Sequence, residues 1–156
     1  MNSSVVISGV GLWTPANSIS NEELVSSYNA WAEHFNHENH AAIEAGELDA
    51  KPLSTAAFIE KASGIKSRYA YSKEGILDIH RMRPLLEVRD DEQVSHQAEM
   101  AISAAKKALI AANKTAADID MVIVSCAYTQ RSYPAIAIEV QAALGIEGFG
   151  FDMLVA

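Results

Sequence analysis

The chain has 156 residues, 49% of them hydrophobic, and a formal charge of -8 at neutral pH. That length holds one α/β domain with its own core, and the acidic balance excludes a nucleic-acid binder, which needs clustered Lys and Arg. The single cysteine, Cys126, excludes an internal disulfide framework and leads us to expect a reducing, cytoplasmic setting; no apolar stretch reaches the roughly 18 residues of a membrane span, and no basic leader precedes the first apolar run.

Ser4 to Val10 reads as a β-branched strand, broken by Gly9 and Gly11, and Thr14 to Asn17 as a turn. Ser20-Asn21-Glu22-Glu23 predicts a helix start, with Ser20 as cap and Glu23 completing a capping box. Leu24, Val25, Tyr28 and Trp31 then share one helical face. Residues 33–53, rich in His, Asn, Glu and Ala, read as a weakly amphipathic helix. A short helix over about 54–62 ends at Ser63-Gly64, where Gly64 fits a left-handed position. Ile65 to Tyr71 mixes basic and aromatic residues, and 72–94 is charged and irregular around His80-Arg81-Met82-Arg83-Pro84.

Ser95 caps a long helix to about Asn113, whose stripe of Ala98, Ala101, Ile102, Ala105, Leu109 and Ala112 faces inward. Thr115 to Asp118 is a short capped turn. Met121 to Ser125 reads as a strand buried on both faces. Pro134 is expected at the first position of a helix that Gly145 closes; this helix is apolar nearly all round, so it should be sandwiched or sit in an interface. Phe149 to Val155 is the closing strand. The chain stops on a bare apolar run, so it is expected to be the front part of a larger protein. The alternation of strand and helix predicts an α/β fold with a largely parallel sheet.

Several candidate chemistries are weak. Gly9-Val10-Gly11 lacks the third glycine of a dinucleotide loop, and Thr14-Pro15 stands where the helix should begin, so a strand-to-turn bend is the better reading. Cys126 has no histidine near it in sequence and reads as a structural thiol. His34, His37 and His40 could share a helical face, but no matching ligand set accompanies them; a solvated face, with no metal, is expected. Lys61, Lys66, Arg68, Arg81 and Arg83 are the only basic concentration, either salt-bridged to the many acids or a landing place for phosphate groups.

Taken together, the segments resemble the N-terminal half of β-ketoacyl-acyl-carrier-protein synthase III, a thiolase-fold condensing enzyme. Ile7-Ser8-Gly9-Val10-Gly11-Leu12-Trp13-Thr14-Pro15 resembles the family's opening strand and turn, and Ser20 to Leu24 its first helix start. Ser63-Gly64-Ile65-Lys66-Ser67-Arg68 is similar to its Thr-Gly-Ile-Arg segment, and Asp118-Ile119-Asp120 opens a similar strand. Tyr133-Pro134 and Val140 to Gly145 resemble its Phe-Pro and Gln-x-x-Leu-Gly helix, and Phe151-Asp152 the strand that delivers the catalytic cysteine.

The resemblance implies a layered αβαβα protein when complete, with residues 1–156 forming most of its N-terminal βαβαβ half. It implies a cysteine directly after Ala156 and a histidine and an asparagine further on, so that no catalytic residue lies within this chain. The implied reaction is a decarboxylating condensation of an acyl-CoA with malonyl-acyl carrier protein, with no cofactor, by a homodimer. Substrate contacts fall on Tyr133, at the position lining the partner's acyl pocket, on Phe58, where the family stacks the CoA adenine, and on Ser63, Lys66 and Arg68. Ala62 stands where the family has an arginine, which departs from ordinary acetyl-CoA recognition. Residues 33–53 and 73–92 are longer than the common form, which points to a different, medium-chain donor. Arg81 and Arg83 are candidates for docking the acidic carrier. The alternatives are a hydroxymethylglutaryl-CoA synthase, a head-to-head acyl condensing enzyme, a non-catalytic acyl-binding subunit of the same fold, or a free-standing binding domain.

Overall fold

The structure, a computed structural model, describes residues 4–154. It divides into two compact units: Thr14–Glu87, and the residues up to Trp13 together with those from Val88 onward.

In the first unit, strands β1 (Asn17–Ser20) and β2 (Ser67–Ala70) pair antiparallel, with Asn17 opposite Ala70 and Ser20 opposite Ser67. Ile19 buries its side chain from β1. Helix α1 (Asn21–Glu38) starts as its sequence dictates: the Glu23 N–H donates to Ser20 Oγ at 3.1 Å, and the Ser20 N–H donates to the Glu23 carboxylate at 2.9 Å. The short helix α2 (His40–Glu44) follows, and then an irregular run to Ser54. Helix α3 (Ala56–Ser63) is capped by Thr55 and closed by Gly64, whose φ of 72° needs no Cβ to be strained. Residues 33–53 are thus helical only as far as Glu44. The strand at Ser67–Ala70 was not expected. Its short mixed sequence carries little strand signal, and the neighbouring β1 ladder supplies the hydrogen bonds that define it.

In the second unit, Ser95 caps helix α4 (His96–Ala112), which ends at Asn113 in left-handed geometry. A turn of 3-10 helix (Ala116–Asp118) leads to β3 (Met121–Cys126), helix α5 (Ile136–Leu144) and β4 (Phe149–Leu154). β3 and β4 run parallel, Met121 opposite Phe149 and Cys126 opposite Leu154. Ala98, Ile136 and Val140 form the core, packed by Ile102, Val122, Val124, Cys126 and Leu144.

Four expectations need correction. Residues 4–15 form no strand; a β-branched run takes strand form only beside a ladder partner, and it has none among the described residues. Gly9 and Gly11 instead press against α4: a Cβ on Gly9 would lie 2.6 Å from the Ala108 carbonyl, and one on Gly11 2.0 Å from that of Ala104. β3 and β4 are covered on one face only, because Val122, Val124 and Cys126 meet the helices while Met121, Ile123, Phe149, Phe151 and Met153 stay exposed. α5 is not sandwiched within this chain: it buries Ile136, Ala137 and Val140 and exposes Ile138, which leaves the interface reading of its apolar surface in place. Pro134 stands two residues ahead of α5, not at its first position. The capping acceptor for this helix comes from β4, as described below. Val155, assigned to the last strand, lies outside the described residues.

Candidate functional site

In the first unit, α1 and α3 lie on two sides of an apolar cleft of about 760 Å³. Leu24, Val25 and Tyr28 reach it from α1, Phe58 and Ile59 from α3, and Leu53 from the segment between them. Tyr28 also stacks at a tilt on Trp31, with ring centres 5.7 Å apart. That segment is strapped to α1. Asn29 exchanges two hydrogen bonds with the Ser54 backbone, at 2.8 and 3.0 Å, and Asn36 two with that of Lys51, at 2.7 and 2.9 Å. The Tyr28 hydroxyl donates to the Pro52 carbonyl at 3.1 Å.

Of the sequence-derived substrate residues, Phe58 lines this cleft and is largely exposed. Ser63, Lys66 and Arg68 gather where α3 passes into β2. The Ser63 hydroxyl donates to the Ile59 carbonyl at 2.7 Å and accepts from the Ile65 N–H at 3.2 Å, which secures the helix end. Lys66 projects into solvent and pairs with Glu60 at 3.3 Å. Arg68 is held inward: its Nη2 donates to Asn21 Oδ1 at 2.9 Å, and the buried Asn21 in turn donates to the Ile65 carbonyl at 2.7 Å. Its Nη1 is buried with no hydrogen-bond acceptor. Tyr133 belongs to the other unit, is 86% exposed, and joins Pro134 through a cis peptide bond.

The basic concentration is partly neutralised. Lys66 pairs with Glu60, and outside that group Lys73 binds Glu23 at 2.6 Å. That ammonium hydrogen bond, followed by the Ser20 N–H, holds the Glu23 carboxyl below its ordinary range. His34 and His40 sit 3.4 and 3.6 Å from Glu38 and Glu44, one helical turn on. Cys126 ends β3 against the helix core, where a structural thiol is expected.

Sequence reasoning missed the polar scaffold around residues 127–135. The Asp152 carboxylate on β4 accepts from the N–H groups of Ile136 and Ala137, both at 2.8 Å, and so caps α5 from a distant strand. Glu139, the lone acid of that apolar helix, keeps its side chain largely out of solvent; it accepts from the Ser95 N–H at 3.2 Å and from the Ser95 hydroxyl, and faces Arg131 at 3.6 Å. Arg131 also donates to the carbonyls of Asp91 and Gln93, at 3.1 and 2.9 Å. Gln97 and Gln130 complete the clamp, with Gln130 accepting from the His96 N–H at 2.9 Å. The loop bearing Tyr133 is therefore fixed at its base. A lone acid inside an apolar run was the available signal.

Comparison with known proteins finds clear homologues. Over 132 residues the chain is 54% identical to a β-ketodecanoyl-acyl-carrier-protein synthase of Pseudomonas aeruginosa, covering 85% of this chain and 38% of that protein. It is 31% identical over 153 residues to a β-ketoacyl-acyl-carrier-protein synthase III of Granulibacter bethesdensis, covering 97% of this chain and 34% of that one. The chain is a homologue of the β-ketoacyl-acyl-carrier-protein synthases III. It spans little more than a third of the length of these curated relatives. Its fold is thiolase-like: the crystal structure of 3-oxoacyl-acyl-carrier-protein synthase III from Aquifex aeolicus superposes with a TM-score of 0.58 at 23% identity, over 95% of this chain and 34% of that one. No protein-family model matches the chain.

Proposed function

We propose that this chain is the N-terminal half of a β-ketoacyl-acyl-carrier-protein synthase III-type enzyme of fatty acid biosynthesis. In this reading a cysteine directly after Ala156 attacks an acyl-CoA, and the CoA thiolate leaves. Malonyl-acyl carrier protein then loses carbon dioxide, and the resulting carbanion attacks the acyl-enzyme carbonyl and expels the cysteine thiolate. A cysteine at a strand-to-helix turn feels the positive end of the helix, which favours the thiolate. A histidine and an asparagine from the remainder of the protein would stabilise the oxyanions. The chemistry asks for thioester substrates and no cofactor. The enzyme would act in the cytoplasm as a homodimer, with Tyr133 lining the partner's acyl pocket. Phe58 would stack on CoA, with Ser63, Lys66 and Arg68 beside it.

The observation that carries this reading is the 54% identity to a β-ketodecanoyl synthase across most of the chain. A ten-carbon ketoacyl product, built by adding two carbons, requires an eight-carbon donor, and that supports a medium-chain acyl-CoA as the starter here. The test is mass spectrometry of the intact enzyme after exposure to octanoyl-CoA. An octanoyl group should appear on the cysteine after Ala156 and be discharged by malonyl-acyl carrier protein. Absence of an adduct on any cysteine would end the proposal, and acetyl-CoA turned over as well as octanoyl-CoA would end the donor assignment.

A further inference from the structure

We propose that Arg131 is a positioning residue for donor selection: it fixes the loop over residues 127–135 that carries Tyr133, and so sets which acyl chains the partner's pocket admits. The assignment rests on the condensing-enzyme reading, in which Tyr133 lines that pocket, and adds the element that holds Tyr133 in place. The loop is tied at both ends and free at its apex. Upstream, the Gln130 N–H donates to Gln97 Oε1 at 2.8 Å, Gln130 Oε1 accepts from the His96 N–H, and Gln97 donates to the Tyr128 carbonyl at 2.6 Å. Downstream, the Asp152 carboxylate receives the N–H groups of Ile136 and Ala137. Tyr133 lies between these anchors and projects into solvent, a reactive or binding group on a loop that a rigid scaffold aims. Asp152 stands on β4, the strand that in this reading leads to the cysteine, so one carboxylate ties the loop to the reacting centre.

Arg131 is the centre of the upstream anchor. Its guanidinium faces Glu139 of α5 at 3.6 Å and donates to the carbonyls of Asp91 and Gln93 at 3.1 and 2.9 Å. Those carbonyls come from a turn that is braced on its own account. The Asp90 carboxylate accepts from the N–H groups of Glu92 and Gln93, both at 3.1 Å. Arg89 donates to the Val94 carbonyl at 2.6 Å and pairs with Glu99 on α4. The long segment 73–92 therefore ends as a buttress for the Tyr133 loop. A planar guanidinium fork holds a carboxylate and two carbonyls in one fixed geometry, which an ammonium on a flexible stem does not. The energetics of the Arg131–Glu139 pair favour positioning over stability. Both side chains are largely out of solvent, so desolvation offsets most of their attraction and the pair adds little net stability, although removing one partner is costly. What the pair supplies is a single arrangement of the groups it joins. A pocket needs that fixed shape to tell apart chains that differ by a few methylenes, because each methylene alters binding only modestly.

The donor profile of the intact enzyme tests this, read as kcat/KM for butyryl-, octanoyl- and dodecanoyl-CoA with malonyl-acyl carrier protein. Arg131→Met combined with Glu139→Gln removes the clamp, leaves no lone carboxylate out of solvent, and keeps an oxygen for the Ser95 N–H, so this double variant should unfold in urea near the wild-type midpoint. Its preference for octanoyl-CoA over the other donors should nevertheless fall about tenfold, within reach of a displacement of about 1 Å. Arg131→Lys keeps the charge and loses the fork; it should show an intermediate preference, and it carries the test alone should the double variant fail to fold. In a Tyr133→Ala background the same substitutions should change the profile no further, because the clamp acts through Tyr133. A wild-type profile in the folded variants would overturn the assignment. So would an equal loss of preference with and without Tyr133, which marks general damage to the fold. Either result beside normal octanoyl transfer by the wild-type enzyme leaves the condensing-enzyme reading intact. A wild-type enzyme that transfers no acyl group from any donor would remove that reading and the role of Arg131 with it.

Discussion

At the scale of single residues, small changes of shape or charge carry large consequences. Gly11 presses its Cα face against the α4 backbone, so Gly11→Ala would drive a methyl to within 2.0 Å of the Ala104 carbonyl. The segment must shift, and overpacking of this kind costs about 1–3 kcal/mol. Thermal unfolding of the intact protein should show that loss, whereas Gly46→Ala meets no neighbouring atom and should show only the smaller strain of its positive φ. Asp152 serves two backbone donors at once. Asp152→Ala leaves both without their acceptor and is expected to cost about 1–3 kcal/mol, with Asp152→Asn losing less because one oxygen remains. Equal stability of the Ala, Asn and wild-type proteins in urea would refute the cap.

At the scale of elements, the helix termini hold the most legible physics. Ser20→Ala removes the α1 cap and should cost about 1 kcal/mol in a denaturant titration. The same box sets an acid limb. Glu23 is held below its ordinary value by Lys73 and then by the Ser20 N–H, and Asp118 by the Thr115 N–H, the Thr115 hydroxyl and Lys114. Since the folded values are depressed, the unfolded chain takes up these protons first. Both groups therefore stabilise fully above their unfolded values, about 4.3 and 3.9, and that contribution fades as pH falls through the lower folded values. Glu23→Gln should lose less stability than wild type between pH 6 and pH 3, read as the shift in urea midpoint. An identical shift in the two proteins would remove Glu23 from the account.

At the scale of the whole molecule, the second unit presents an uncovered sheet face. Met121 pairs beside Phe149 and Ile123 beside Phe151, and all four are substantially exposed. Contiguous apolar surface of this kind drives association. Expressed alone, the 156-residue chain should bind an apolar dye strongly and self-associate, and Phe149→Lys with Ile123→Glu should reduce both. A monodisperse chain with no dye binding would show that the face is not sticky. Breaking the Arg131–Glu139 pair, whose side chains are 13% and 7% exposed, acts on the same unit. Arg131→Met leaves a carboxylate with 7% side-chain exposure without its cation, held only by the Ser95 N–H and hydroxyl, and is expected to destabilise by about 3 kcal/mol.

The sequence by itself determined the features whose physics is local. Ser20, Glu23, Gly64, Ser95, Asn113 and Gly145 mark helix ends through bonds reaching three or four residues, and a chain of letters displays such spacing directly. The ordered motifs around Ser63-Gly64-Ile65 and Val140 to Gly145 likewise pointed to the homologues that the comparisons found, because their joint spacing is written along the chain. Tertiary structure alone decided what depends on distant partners. Ser4 to Val10 lost its strand for want of a neighbour, and Ser67–Ala70 became one by meeting β1. Asp152 became the cap of α5, and Arg68 turned inward to Asn21, a residue 47 positions away. Asn29 and Asn36 formed one wall of the cleft. Hydrogen bonds and burial across long sequence separations depend on how the chain folds back on itself, and periodicity carries no trace of that.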